Sequence, residues 1–596
     1  MTGSEMPSDP LLPALQGKAL LVDPRQGDAE DDISSPKKKS LFMLAGGMLA
    51  EISLTKLLLA WIMTIVIPGV LLGLAPLVAS AWLISVADRV FALAGLWTLL
   101  TLLVVAAIGI LGWRPLLREA ETSFWSLNAL AIKPGYVLCR EALRHISEKA
   151  FDHRLTPQRR ARLRAIAGAG AGIILAVLAT VVALMAWPST RWTGLLADLW
   201  DPFRLVMPAL ANAIVIVCSY LAVAALVWGI ADATMDQPLD IETFDTAAPG
   251  AREWRVAHLS DIHIVGENYG FRIESGRAGP RGNDRLHRVL DRLDAIHAAR
   301  PLDLVLISGD MTDAGISSEW AEFLDSVARH PQLAERMLIL PGNHDVNIVD
   351  RANPARLDLP LSPGKRLRQV RTLSAMAALQ GDRVRIIQHG SHDTSKTLNE
   401  ALAPHREMIA QFADTGAFLL SAKLNRLWDD LFPMVALPET DDGLGVIILN
   451  SNADTHFSFT NALGMVSAEQ AHGLSAVVKQ FPRARWIVAL HHHLMEYPMR
   501  AKAFSERVGT ALVNGTWFVR QLKPLGRRAV VMHGHRHTDW IGHCGDVRII
   551  SAPSPVMGVQ DQVPTHFHIV TLAAGANDCL DLLLPERIDI AGLERS

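Results

Sequence analysis

Five short stretches in the second half of this 596-residue chain place histidines, carboxylates and one asparagine at spacings that suit metal chemistry. Asp261 and His263 form an Asp-x-His pair, and Asp310 and Asp313 stand in Gly-Asp-x-x-Asp. Gly342 is followed by Asn343, His344 and Asp345. His491, His492 and His493 are consecutive, and His535 and His537 make a Gly-His-x-His unit. Imidazole and carboxylate donors together suit Zn, Fe and Mn. One carboxylate can bridge two cations roughly 3.5–4 Å apart, the arrangement that hydrolyses phosphate esters. In extended backbone residues i and i+2 point to the same side, so each x-spaced pair can meet one site.

Each block also has an ordinary reading. Gly-Asn is a common turn signal, and Asp345 can simply cap that turn. Of the 22 histidines, all but His145 and His153 lie after residue 250, so composition alone puts some near strand ends. His258, His287, His297 and His330 are read as doing no chemistry, and His533 as structural. His491, His492 and His493 compete for one ligand role, which strand register must decide. What outweighs these readings is that all five blocks occur, in order, each after an apolar run.

Those runs are the elements that must position the blocks. They are 254–259, 302–307, 337–340, 445–449, 486–490, 529–532, 548–550 and 566–572. Between the first two, residues 284–299 carry Leu286, Val289, Leu290, Leu293 and Ile296 on one helical face. Alternating strands and helices predict an α/β domain over 251–596, with ligands collected beyond the carboxyl ends of its strands. Residues 346–443 are long and helical in pattern and are expected to form an inserted helical cap.

The first half differs in kind. Mean hydropathy is +0.22, and the apolar excess lies before residue 235. Residues 1–53 are polar and predict a disordered cytoplasmic tail without a signal peptide. Residues 54–233 predict an all-α transmembrane domain of about four helices, from the stretches 57–86, 91–113, 165–187 and 205–230. The first is interrupted by Pro68 and Pro76 and could fold as a hairpin. None of the four contains Asp, Glu, Lys, Arg or His, which weighs against a pump or transporter. Eleven Lys and Arg between Arg114 and Arg164 place that connection, the tail and the second half in the cytoplasm by the positive-inside rule. Residues 234–250 read as a linker. A net charge of −3 gives no case for nucleic acid, and four scattered cysteines fit a reducing compartment.

From residue 255 to about 572 the motif set resembles the calcineurin-like metallophosphoesterase superfamily, and within it most the class III cyclic nucleotide phosphodiesterases. The resemblance implies a four-layer α/β/β/α sandwich and two divalent cations, whether Mn, Fe or Zn. It implies Asp261, His263 and His537 at one metal, Asn343, His491 and His535 at the other, and Asp310 between them. His344 would then be the catalytic histidine and Asp313 the carboxylate that orients it. The expected protein is a membrane-anchored phosphodiesterase or pyrophosphatase of a bacterial inner membrane, acting on a cyclic nucleotide. A lipid-linked substrate such as UDP-2,3-diacylglucosamine is the alternative within the superfamily, and a non-catalytic membrane scaffold the alternative outside it.

Overall fold

The structure is a computed structural model, and it describes residues 20–30, 58, 62, 66–92, 133–151, 156–201, 203–269, 283–350, 356, 358, 362–499, 510, 512–558 and 563–591. The chain divides into two compact units. One is Ile52–Met235; the other combines Met1–Glu51 with Asp236–Ser596.

In the first unit the apolar stretches and the basic connection form helices α1 (Ile67–Ala92), α2 (Lys133–Phe151), α3 (Pro157–Ala186) and α4 (Phe203–Ala233). Three segments are long and apolar enough to cross a membrane: Gly69–Ala87, Gln158–Ser189 and Phe203–Ala233. The expected span at 91–113 lies, beyond Ala92, outside the described residues. Helix α1 runs through Pro76 as one element, which removes the hairpin alternative there. Small residues let α3 and α4 approach closely, since a Cβ on Gly172 would sit 2.6 Å from the Ala225 carbonyl oxygen. Such backbone proximity is how helices associate where lipid removes the hydrophobic drive. Helix α2 turns its charges inward. Arg140 meets Asp232 of α4 at 2.6 Å, and Glu148 meets Arg164 of α3 at 2.7 Å.

The second unit is built on strands. In chain order they are β1 (Leu239–Asp240), β2 (Glu253–Leu259), β3 (Leu304–Ile307), β4 (Met337–Ile339), β5 (Arg385–Ile386), β6 (Met434–Ala436) and β7 (Leu444–Ile448). There follow β8 (Arg485–Ala489), β9 (Ala529–His533), β10 (Trp540–Cys544), β11 (Val547–Ser551), β12 (Thr565–Ala574), β13 (Leu580–Leu582) and β14 (Glu586–Ile590). One sheet has the order β1-β10-β11-β9-β8-β7-β6-β5. The other runs β13-β12-β2-β3-β4, with β14 also on β12. Strands β7, β8, β9 and β11 are parallel, as are β2, β3 and β4. Parallel strands covered on both faces need unbroken apolar sequence, and β3 and β8 are buried throughout. Helix α5 (Asp284–Ala299) joins β2 to β3 and buries the predicted Leu286, Val289, Leu290 and Leu293.

Three expectations change here. Residues 20–30, predicted within a disordered tail, lie against the second unit. Leu21, Val22 and Ala29 join its core, and Val22 exchanges hydrogen bonds with Ser374 Oγ at 3.1 and 2.8 Å. Asp28 is buried in a two-pronged pair with Arg371, both contacts at 2.6 Å. A polar composition hides this docking because few residues carry it.

The expected linker 234–250 is likewise held. Strand β1 pairs with β10, and Asp245 accepts from the Leu582 amide at 2.9 Å and pairs with Arg548 at 2.5 Å.

Residues 346–443 are not a separate cap. They supply β5 and β6 to the larger sheet, together with helices α7 (Pro363–Gln380) and α8 (Phe418–Asp430), whereas α6 (Ser317–Ala328) precedes them. Leu367, Val370, Leu373, Met376, Leu379, Phe412, Leu424 and Trp428 are all in the domain core. Helix α7 is buried on nearly every side, and its Gln380 side chain satisfies both the amide and the carbonyl of Ile339 at 2.7 and 3.0 Å. The inserted helix therefore seals the edge strand that leads to Gly342-Asn343-His344-Asp345.

Candidate metal centre

The five blocks all emerge at the carboxyl ends of parallel strands: β2, β3 and β4 of one sheet, β8 and β9 of the other. Local backbone is strained there. Asp261, His263, Asp310, His535 and His537 have φ of 56°, 47°, 52°, 76° and 49°, a region non-glycine residues seldom occupy. Such strain, about 1–3 kcal/mol per residue, persists where the surroundings over-determine it and clusters at functional sites. Glycines make room for the turns. A Cβ on Gly309, at φ +99°, would lie 2.4 Å from His491 Nδ1, and one on Gly342 would lie 2.1 Å from Asp310 Oδ1.

The side chains converge in overlapping groups. Asp261, His263 and His537 bring one ligand atom each within 4.8 Å of one another, and so do Asp310, His491 and His535, and His263, Asp310 and His344. His263 Nε2 faces His537 Nε2 at 3.3 Å, and His537 Nε2 is 3.4 Å from Asp261 Oδ1. On the other side, His491 Nε2 lies 3.2 Å from His535 Nδ1, 3.0 Å from Asn343 Oδ1 and 3.3 Å from Asp310 Oδ2. Asp310 Oδ2 is also 3.8 Å from His263 Nε2, so this carboxylate touches both groups.

Tautomers follow from the partners. His491 Nδ1 donates to the Ser308 carbonyl at 2.8 Å, which leaves Nε2 with its lone pair facing the cluster. A ring nitrogen held this way by a carbonyl is how metal-binding histidines are oriented. Paired ring nitrogens, an amide oxygen and shared carboxylate oxygens at these distances fit two cations of the Zn, Fe or Mn type.

The buried charges are mutually supporting. Burial disfavours the ionised Asp310, yet His491 and His344 hold its carboxyl well below the usual range. Burial also disfavours a protonated His491, but Asp310 and then Asp261 push it up to about 9, so a proton competes with a cation for Nε2. Asp345 moves the other way. Burial and the neighbouring Asp310 raise it to about 6. It accepts from the Gly342 amide at 2.8 Å, the Thr312 amide at 2.9 Å and Thr312 Oγ1 at 2.7 Å. Asp345 thus buckles the loop after β3 to the turn after β4, more than the turn cap its position predicts.

Among the three consecutive histidines, only His491 reaches Asp310. His492 Nδ1 pairs with Ser451 Oγ at 2.9 Å, and His493 stacks on Tyr497. His344 sits at the edge of the cluster, its ring 4.5 Å from that of His263 and its amide donating to Asp310 Oδ1 at 2.8 Å. Asp313 departs from expectation. Its main-chain carbonyl accepts from His344 Nδ1 at 2.6 Å, while its carboxylate lies 3.5 Å from His263 Nδ1. The short loop turns the carboxylate toward the other histidine. Ser451, which no motif flagged, receives the amides of His491 and His492 on its hydroxyl at 3.2 and 3.1 Å. The only sequence signal for it is its place just past β7.

Residues 255–539 match the family model described as calcineurin-like phosphoesterase. No curated protein matches the chain. Among solved structures, a dimetal phosphatase from Danio rerio is similar at 11% identity, over 57% of this chain and 99% of that one, with a TM-score of 0.31. A putative 5'-nucleotidase from Staphylococcus aureus is similar at 13% identity, over 58% and 55%, with a TM-score of 0.29. The NAD nucleotidase of Haemophilus influenzae is similar at 11% identity, over 57% of both chains, with a TM-score of 0.28. Scores this low bear no weight beside the family match. The match to the calcineurin-like phosphoesterase model lies within the second unit of this chain, and the protein is a metal-dependent phosphoester hydrolase.

Proposed function

We propose that the domain hydrolyses a phosphodiester or pyrophosphate bond at a dinuclear centre, with a 3',5'-cyclic nucleotide as the first candidate substrate. The observation that carries this reading is that Asp310 reaches both ligand groups while His344 stands beside them. In this assignment Asp261, His263 and His537 hold one cation, Asn343, His491 and His535 the other, and Asp310 lies between. Two bound divalent cations supply charge neutralisation for the phosphoryl oxygens and make water acidic enough to deprotonate near neutral pH. The chain's own part is orientation and proton transfer. His344 Nδ1 is fixed on the Asp313 carbonyl, so Nε2 is the atom left to hydrogen-bond a phosphoryl oxygen or protonate the leaving oxygen.

The cyclic nucleotide is favoured by the motif set. The lipid-linked reading is supported by the three apolar helices of the first unit, but of the apolar residues in 346–443 the eight named above lie in the domain core and lend it nothing. A scaffold without turnover fits poorly with a complete donor set. We further propose an inner-membrane location with the hydrolase domain in the cytoplasm. Purified protein supplied with Mn²⁺ should be assayed against cyclic nucleotides, nucleotide-linked lipids and an aryl phosphodiester. Turnover of cyclic nucleotides is expected. Turnover of the lipid alone would move the assignment to that class, and no turnover of any diester would refute it.

A further inference from the structure

One convergence of metal-type donors among the described residues lies apart from the centre: Asp539, His566 and His568. His566 and His568 are alternate residues of β12 and so share a face of their sheet. Asp539 comes from the other sheet, in the loop between β9 and β10 that has already delivered His535 and His537. His566 Nε2 is 2.8 Å from Asp539 Oδ2, and His568 Nε2 is 2.9 Å from Asp539 Oδ1. His537, two residues away, faces Asp261 instead.

We propose that Asp539, His566 and His568 form a third cation site, distinct from the dinuclear centre, for a transition metal such as Zn²⁺. Two imidazoles and a carboxylate are a zinc donor set, and three protein ligands leave a fourth tetrahedral position for water. The site can admit that water, because the Asp539 side chain is 35% exposed and those of His566 and His568 are 16% and 10% exposed. At zinc–ligand distances of about 2.0–2.1 Å, tetrahedral donors stand about 3.3 Å apart. The two imidazoles touch different oxygens of Asp539, so the contact to whichever oxygen binds would open by about half an ångström, while the other imidazole already has its donor atom within 4.8 Å. The rings are already splayed, with centroids 5.4 Å apart and planes at 81°, so both nitrogens can address one point beside the carboxylate. A cation there would pin β12 of one sheet to the loop carrying His535 and His537 in the other, making it a brace for that loop.

The competing account is that Asp539 only accepts two hydrogen bonds. Glutamine separates the two, since its amide can still donate to Asp539 but is a poor zinc ligand. Full-length protein in detergent should be stripped with a chelator and dialysed against Zn²⁺. Metal content and unfolding temperature should then be measured for the wild type, His566→Gln and His568→Gln. Each variant should bind one zinc fewer per chain than the wild type, whatever the loading of the dinuclear centre. Without zinc the three proteins should unfold together, and the rise caused by zinc should be smaller in the variants. Equal zinc content and an equal rise in all three would overturn the proposal, as would Asp539→Asn with undiminished zinc.

Discussion

At the scale of single residues, the assignment rests on which atom of each side chain faces the cluster. His491 Nε2 is aimed there by the Ser308 carbonyl, whereas His493 stacks on Tyr497. His491→Ala should therefore abolish hydrolysis and release metal, while His493→Ala should keep its metal and most of its activity. Metal analysis of the two variants checks this, and the opposite pattern would transfer the ligand role. The split at Asp313 makes a second prediction. Its carboxylate faces His263 and its carbonyl holds His344, so Asp313→Ala should keep the His344 contact. Loss of a group that orients a ligand costs about 10–100-fold in metal affinity. Asp313→Ala should show that loss with kcat at saturating Mn²⁺ largely preserved. His344→Ala should instead lower kcat by about 10²–10⁴ at unchanged metal content. A kcat defect in Asp313→Ala that metal cannot relieve would show that the carboxylate serves His344 after all.

Among the elements, the segment 20–30 is the one whose behaviour is most open to test. Burial would push the Asp28 carboxyl up, but the Arg371 guanidinium more than offsets this and holds it below the usual range. Its folded value is thus lower than its unfolded one. The contribution of the pair is present above the ordinary carboxylate pKa, about 3.9, and is lost as pH falls through the folded value. The protection of residues 20–30 against hydrogen exchange, taken relative to the intrinsic rate at each pH, should fall on acidification below about pH 4 and stay high at neutral pH. Asp28→Ala should lower that protection at neutral pH, at a cost of about 3 kcal/mol for leaving Arg371 buried, with Glu30 as a residual partner at 3.1 Å. Unchanged exchange in the variant would contradict the docking. This segment also shows where sequence reading stops. Its main anchor joins residues 343 positions apart, and no local pattern announces such a pair. Periodicity likewise marked α7 as a helix but could not say whether it closes a cap or fills the core. The metal cluster was legible for the opposite reason. Each block sits within a few residues of a strand end, so the apolar run and the donors are read together. Asp313 was legible as a participant only, because whether its carboxylate or its carbonyl meets His344 depends on the turn.

For the whole molecule, two claims remain, one about the membrane and one about the chemistry. Three helices can cross a bilayer, and the basic connection between Arg114 and Arg164 should stay on the cytoplasmic side. Cysteine labelling or reporter fusions at Gly135 and Ala247 should report the cytoplasm for both, and an outside signal at either would overturn the orientation. The chemistry turns on Asp310, the one carboxylate shared by both ligand groups. The direct measurement is hydrolysis of an aryl phosphodiester by the full-length protein after chelation and after return of Mn²⁺, with Asp310→Asn in parallel. Chelated wild type should be inactive and recover with Mn²⁺, while Asp310→Asn should bind less metal and not recover. Hydrolysis that survives chelation, or an Asp310→Asn variant as active as the wild type, would contradict the account.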